Sequence, residues 1–597
     1  MAVTLDTQSS VKKAVAIANS EVWWESVAGT FIQLPASDDD INTADNLNMA
    51  SAFQKAFIVN GSNLKIADFV NVRLTHAALT TPHAKGDVLT QATSNAKMIV
   101  DYTNAAKTYT YGYVTSGTWN CTNSVTGSGS GTGFTPTGIF GMLTHTALAT
   151  AHTAEDVLTQ AVTGATMTVK YTDTTKTHTW GEITSGTFNT TNQVTGSGSG
   201  TAFTPTATDT SPPLWYSWTV YQGDTATYGT MPNKAYLICI YRGRVVTSGN
   251  PEYPEQWYMS KTADPFNFLY GADDAMSAVA GNNADAGQCS DIVRALIPFH
   301  DDYLIFGCAS TMWVLRGDPV AGGSLDNLSD TTGVFGARSW CFDGDGNLYI
   351  FGTGGVYKID RDFTRMENLS GKVLPELVKD EAADPTTHRI TMGFDRKRNG
   401  LVIAITTIAT GANSNYFFSL HTNGFYPEIY PNECGAYSLF YYDANDPAYS
   451  DLLIGCKDGY IRKFLDTAKD DDIGGTDQDI SSYVTLPILP LAEFGNEGKL
   501  SEMAFHSAGG ASSGAFSDSD GFSWSLFSAD DAETCLEDIV DGATAFTTGT
   551  VTGTGRTGRV RPKMRGAYAG LKLANSTASQ TFAINSIGYE TQPAGSI

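Results

Sequence analysis

Charge is scarce in this sequence. Only 17% of its 597 residues are Asp, Glu, Lys or Arg, against about a quarter in an ordinary soluble domain. Basic residues are the scarcer kind, 37 Lys and Arg against 62 Asp and Glu. The resulting net charge of −25 excludes a chain that clamps DNA or anionic lipid by its overall field. Cysteine is thinly spread, eight residues without a CxxC pair, which excludes a zinc ribbon and a dense disulfide framework; reduced, mostly buried thiols are expected. No stretch approaches the roughly 18 apolar residues of a membrane span. Behind Lys12 and Lys13 only Ala14 to Ala18 is apolar, too short for the core of a signal peptide, so synthesis without Sec export and no membrane anchor are expected. An HExxH helix and a Walker loop are both missing, so zinc proteolysis and NTP hydrolysis lack their signatures. No catalytic residue, cofactor or resident metal is expected.

What is present is material for large cores: 41% hydrophobic residues, with 29 Phe, 27 Tyr and 10 Trp, enough to exclude general disorder and to fill several structured units. The first third carries an internal repeat. Leu74-Thr-His76 recurs as Leu143-Thr-His145, an offset of 69, and Phe134-Thr-Pro-Thr137 recurs as Phe203-Thr-Pro-Thr206, with 41 identities over 64 aligned positions. This is a tandem duplication. Met98-Ile-Val-Asp-Tyr102 and Met167-Thr-Val-Lys-Tyr171, set among Thr and Gly-Ser-Gly turns, read as strands. Each copy, 74–137 and 143–206, is expected to be a small β-barrel or β-sandwich. Residues 74–206 hold five Lys and six acids, a net of −1, so −24 of the charge lies elsewhere.

From Met231 onward, short apolar runs alternate with Gly-bearing turns: Ala235 to Tyr241, Tyr303 to Phe306 before Met312 to Leu315, Asn347 to Phe351 before Gly355 to Lys358, Leu401 to Ile405, and Leu452 to Gly455 before Tyr460 to Lys463. Strand pairs recurring at roughly 40–60 residues match four-stranded propeller blades. Glu21 to Glu25, Thr30 to Leu34, Lys55 to Val59 and Leu64 to Asp68 share this pattern. The expected architecture is all-β, a propeller of six or seven blades. Residues 1–73 supply N-terminal strands and the first blade, the two modules are inserted after it, and 207–597 form the main propeller. Ala583 to Tyr589 is the candidate strand for closing the ring with the N-terminus, and Val373 to Ala383 is expected to be helical.

Few residues invite chemistry. His76/His83 and His145/His152 repeat with the module, but no Asp or Cys completes a repeated ligand set, so they read as satisfied or surface histidines. Asp343-Gly-Asp345-Gly-Asn347 starts like a calcium loop, yet Leu348 and Gly354 occupy the positions that need Gly and a bidentate acid; a hairpin turn is expected. Ser517 to Trp524 has part of an Asp-box, with Ser519 replacing an acid. Asp38 to Asp40 and Asp470 to Asp472 read as solvated loops. One motif stands apart: Arg559, Arg561, Lys563 and Arg565, preceded by Arg556, alternate with Val560, Pro562 and Met564. On a strand this puts the four cations from Arg559 to Arg565 on one face, a candidate subunit-interface stripe, with a solvated edge strand marked by Pro562 as the equal alternative.

Tyr241-Arg-Gly-Arg-Val-Val-Thr-Ser-Gly-Asn-Pro251, continuing as Gln256-Trp-Tyr-Met-Ser-Lys261 and Ala263-Asp-Pro-Phe-Asn-Phe268, resembles the blade of tail nozzle (tail hub or tail stabilisation) proteins of short-tailed bacteriophages. Phe57 to Asp68 and Arg565 to Leu573 add to the resemblance, which spans the chain outside the duplicated insert. It implies a non-enzymatic virion protein, made in the host cytoplasm. As a homohexameric ring it docks on the head-to-tail adaptor, carries fibres or contacts the host surface, and lets viral DNA pass without specific binding. The alternatives are a glycan- or host-surface-binding propeller and, third, a polysaccharide-cleaving enzyme.

Overall fold

Tight turns with both central residues at positive φ set the local architecture, because their twist matches that of the strands they join. Tyr241 pairs with Arg244 across Arg242 and Gly243, at φ 48° and 71°. Ala52 pairs with Lys55 across Phe53 and Gln54, at 52° and 59° without a glycine. In the computed structural model, which describes residues 2–6, 11–18, 20–35, 41, 46–271, 274–282, 286–363, 365–465, 468–493, 496–509, 519–552 and 556–596, strands hold 49% of the chain and helices 5%. The fold is all-β, in two compact units, 1–427 with 434–464, and 428–433 with 465–597.

Among the described residues the first unit contains, besides the sheet of the duplicated modules, seven antiparallel sheets in chain order. Their first strands are Ala2–Asp6, Asn48–Ala52, Leu237–Tyr241, Val293–Phe299, Trp340–Phe342, His388–Asp395 and Ala436–Tyr442. Six of the sheets have four strands and the seventh has three. Consecutive sheets pack face to face through shared apolar clusters. Trp257 and Phe306 join the third to the fourth, Phe299 and Phe342 the fourth to the fifth at 5.5 Å between ring centroids, and Phe351 and Met392 the fifth to the sixth. Gly393 in the sixth leaves room for Leu439 of the seventh, which would lie 2.9 Å from an added Cβ. The cycle closes on itself. Ala2–Asp6 lies beside both Asn48–Ala52 and Ala436–Tyr442, and the seam is polar: Tyr442 donates to Glu25, Lys12 Nζ meets Asp443 at 2.9 Å, and the Lys12 backbone exchanges hydrogen bonds with Asn445.

The modules do not follow the first sheet; they interrupt the second. Its third strand, Leu64–Asp68, pairs with Leu214–Ser217, so the fourth strand arrives only after both copies. The local pattern could not reveal this, because the two partners are some 150 residues apart in sequence. The copies form one continuous eleven-stranded sheet, joined where Thr75 and Leu74 pair with Gly138 and Ile139.

Inside each copy the same bonds recur. His76 Nε2 meets Thr110 Oγ1 at 2.9 Å and His145 Nε2 meets Thr179 Oγ1 at 3.0 Å. The Gln91 amide donates to the Asn120 and Asn123 carbonyls, and Gln160 to those of Asn189 and Asn192. The Gly-Ser-Gly turns lie over the second histidine of each pair. A Cβ on Gly131 would sit 2.2 Å from His83 Nδ1, and one on Gly200 would sit 2.1 Å from His152 Nδ1, so glycine is required there by close approach.

Copy 1 is fixed to the sheets by a buried polar network. Lys55 Nζ lies 2.8 Å from Asp101 and 3.8 Å from Asp68, Tyr216 donates to Asp68 at 2.7 Å, and Asn71 donates to both carboxylates. Burial pushes the Asp101 carboxyl up, but Lys55, Lys85 and Asn71 outweigh it and hold it below the usual carboxylate range.

Residues 465–597 do not continue the propeller pattern as expected. Two sheets, one built on Phe522–Ala529 and Tyr568–Asn575 and the other on Asn496–Ser507, face each other across Leu500, Met503, Phe505, Trp524, Met564 and Leu573. Ile584–Ser596, which contains the expected ring-closing strand, pairs instead with Asn496–Ser507. It spends its whole length on that twelve-residue partner, and the N-terminal strand closes the cycle. Of the expected helix only Leu377–Glu381 forms. The nine-residue helix Ala532–Val540 is capped by Asp531, whose carboxylate accepts from the Thr534 amide.

Candidate functional site

The segment carrying the family resemblance is architectural. Arg244 is fully buried and its guanidinium donates to the carbonyls of Ser260, Ala275, Met276 and Ser277, pinning the loop that leads to the third sheet's last strand. Tyr241 donates to the Gly317 carbonyl at 2.8 Å and Trp257 to that of Gly287 at 3.2 Å. Phe266 and Phe268 fill the core shared with copy 1, where Trp218 donates to the Pro265 carbonyl.

His76, His83, His145 and His152 are buried and their pKa values are lowered, chiefly by burial. The Asp343 loop is a turn: its carboxylate accepts from the Asp345 and Asn347 amides, the Asn347 side chain and the Tyr349 hydroxyl. Asp472 accepts from the Gly475 amide in another turn. Asp38 to Asp40 and the start of the Asp-box, Ser517 and Asp518, lie outside the described residues; Asp520 accepts from the Thr581 amide and pairs with Lys469 at 3.1 Å. Among the described residues no group of three or more His, Cys, Asp or Glu side chains is placed to hold a metal. An open depression of about 530 Å³ lies between the fourth and fifth sheets, lined by His300, Tyr303, Asn347, Asp360, Arg361, Asp362 and Phe363.

The basic stripe lies in the C-terminal unit on two strands, Arg556–Val560 and Met564–Gly566, that follow one another along the same side of Asn496–Ser507. Lys563, at φ 54°, makes the bend between them. The alternation holds: Arg559, Arg561, Lys563 and Arg565 are exposed and Met564 is buried. Arg556 pairs through its backbone with His506. The stripe finds carboxylates within its own chain. Glu502 takes Arg559 at 3.0 Å and Arg561 at 3.5 Å, and Glu497 takes Arg565. Both acids come from the neighbouring strand, some 60 residues earlier, and proximity in the chain gave no sign of them.

A second cationic group, which the sequence reading missed, sits where the sheets converge. Arg338, just before the first strand of the fifth sheet, reaches the second sheet and donates to the Leu47 carbonyl at 2.7 Å and Asn48 Oδ1 at 3.4 Å. These sheets are not neighbours in the cycle, so the side chain spans its centre. Arg389, in the first strand of the sixth sheet, lies 4.3 Å over the Tyr437 ring, and Lys457 lies 6.0 Å from the same ring. Burial, then the charge of Arg389, lowers the Arg338 pKa to about 9. Burial lowers that of Arg389 as well. Arg338, Arg389 and Lys457 have no ion pair with a carboxylate among the described residues, and Arg389 Nε is buried without a hydrogen-bond partner. Each cation is solitary in sequence, which is why no local pattern disclosed the group.

No family model matches the chain, and no curated protein matches it. Three solved structures from B. thetaiotaomicron align over most of its length. The extracellular domain described as part of a hybrid two-component system is 10% identical, covering 96% of this chain and 76% of that one, with a TM-score of 0.23. A second such domain is 10% identical, covering 92% and 82%, at 0.24. A domain described as part of a one-component system is 9% identical, covering 93% and 81%, at 0.23. Superpositions this loose carry no argument about function.

Proposed function

We propose that this chain is a structural, non-enzymatic tail nozzle subunit of a short-tailed bacteriophage, with the cycle of seven sheets as a seven-bladed propeller. In this reading six copies form the ring beneath the head-to-tail adaptor, the virion is its location, and fibres or the host surface meet its outer parts. The observation that supports it most is the work done by the resembling segment: Tyr241 to Phe268 builds one sheet and its joints to both neighbours, so the resemblance lies in the scaffold and not in a catalytic constellation. The acidity fits the same role. An acidic lumen repels phosphates and lets DNA slide without sticking, and −24 of the −25 charges lie outside the modules. Because Arg338 crosses the centre of the cycle, the duplex passes between subunits of the ring and not through a single propeller. Particle images of the purified protein, alone and with an adaptor ring, test the reading: sixfold rings are expected, and monomers or trimers in both samples overturn it.

A second reading, a glycan- or host-surface-binding propeller, draws on the depression beside His300 and Tyr303, where aromatic rings and hydrogen-bonding groups share one opening. Binding of host glycans by the full chain, abolished by Arg361→Ala, would favour it.

A further inference from the structure

We propose that Arg338 and Arg389, assisted by Lys457, form a binding site for a small oxyanion of the phosphate type at the centre of the seven-sheet cycle. Three cations from the fifth, sixth and seventh sheets share this region of a chain that is otherwise acidic. A guanidinium taken from water without a counter-ion is costly unless its donors find partners. Among the described residues, Arg338 has only the Leu47 carbonyl and the Asn48 amide oxygen, two neutral acceptors. Arg389 rests on the Tyr437 face, a cation–π contact that leaves its in-plane N–H donors unused among the described residues, one of them buried. The Tyr437 hydroxyl donates to the Ile408 carbonyl at 2.5 Å, which fixes the ring that carries Arg389. An oxyanion would accept from both forks and remove the repulsion between them, and planar guanidinium groups match tetrahedral or carboxylate oxygens two at a time.

The surrounding charges agree. Arg294 on the fourth sheet contributes to lowering the Asp384 pKa, behind the Thr386 hydrogen bonds. Asp384 is exposed and engaged with Thr386. A cationic ligand is disfavoured by the three positive charges, and a purely apolar one by the unused donors. The site stands whether or not the chain is a nozzle, since it needs only one folded subunit.

Calorimetry and thermal melting of the full chain with inorganic phosphate, acetate and chloride at matched ionic strength decide the matter. Phosphate is expected to bind saturably, one per chain, and to raise the melting temperature above that in chloride. Acetate binding as tightly as phosphate would transfer the site to carboxylate ligands and overturn the phosphate assignment. Arg389→Gln should weaken phosphate by about tenfold or more, and Lys457→Gln, at a half-exposed position, by a few-fold. If Arg389→Gln does not fold, Lys457→Gln reads the same site. Phosphate no more effective than chloride, or affinity unchanged in the variants that fold, overturns the proposal.

Discussion

At position 101 the first copy of the module has an aspartate held against Lys55; at the matching position the second copy has Lys170, paired with the exposed Glu155 at 2.6 Å. Lys85, which reaches Asp264 at 2.9 Å, is matched by Ala154, and Cys121 by Thr190. Internal positions did not diverge in this way. The histidine–threonine pairs, the glutamine clamps and the glycines over the imidazoles are the same in both copies. A duplicated unit keeps the aromatic and apolar character of its core, with Tyr111 matched by Trp180 and Trp119 by Phe188, whereas the surface it turns to its host changes with the host. Copy 1 faces the sheets and its outer residues became charged anchors. Copy 2 is held through copy 1, by Thr75 donating to Glu182, through Arg73 just before copy 1, which pairs with the same carboxylate, and through Gln33 accepting from Thr174.

The largest expected contrast comes from that anchor. Lys55→Met leaves the buried Asp68 without its cation and Asp101 with Lys85 alone and should cost about 3–5 kcal/mol, whereas Lys170→Met should stay within about 0.5 kcal/mol. Urea unfolding measures both, and equal costs would break the comparison. Gly131→Ala and Gly200→Ala should each cost about 1–3 kcal/mol by overpacking against a buried ring; a harmless change in one copy would mean that the interiors differ after all. Thr110→Val and Thr179→Val each remove one histidine hydrogen bond, about 1 kcal/mol, in matched amounts.

The smallest effect per group is in pH. His76, His83, His145 and His152 have lowered pKa values in the folded chain, so the unfolded chain, with histidine near 6.5, takes up protons first on acidification. Their contribution is complete above about pH 6.5 and declines as pH falls toward the folded values. Melting temperatures between pH 8 and 5 should show this decline, and a smaller decline in a His76→Gln/His145→Gln double variant would tie part of it to that pair.

The repeat, the strand pairs and the all-β class are legible in the sequence because each is local: an offset identity, an alternation, a turn. What was misplaced depends on distant pairing. Leu214–Ser217 looks like any short strand until Leu64–Asp68 is known to be its partner. The C-terminal unit uses the same strands and turns as the cycle, so only the pairing of Ile584–Ser596 with Asn496–Ser507 separates it. The alternation of the basic stripe was legible on burial grounds, but the acids that neutralise part of it were not. The central cations could be found only by seeing sheets that are far apart in sequence converge.

The insertion point also sets how this molecule can change. Asp68 and Leu214 are register partners on adjacent strands, roughly 5 Å apart, so the gap to be bridged is the same for one module, two or more. The entropic cost of a longer excursion between fixed ends grows only slowly. Gain or loss of a copy by unequal recombination therefore leaves the ends of the second sheet where they were, and the array can vary in length between lineages while the cycle that carries it keeps its geometry.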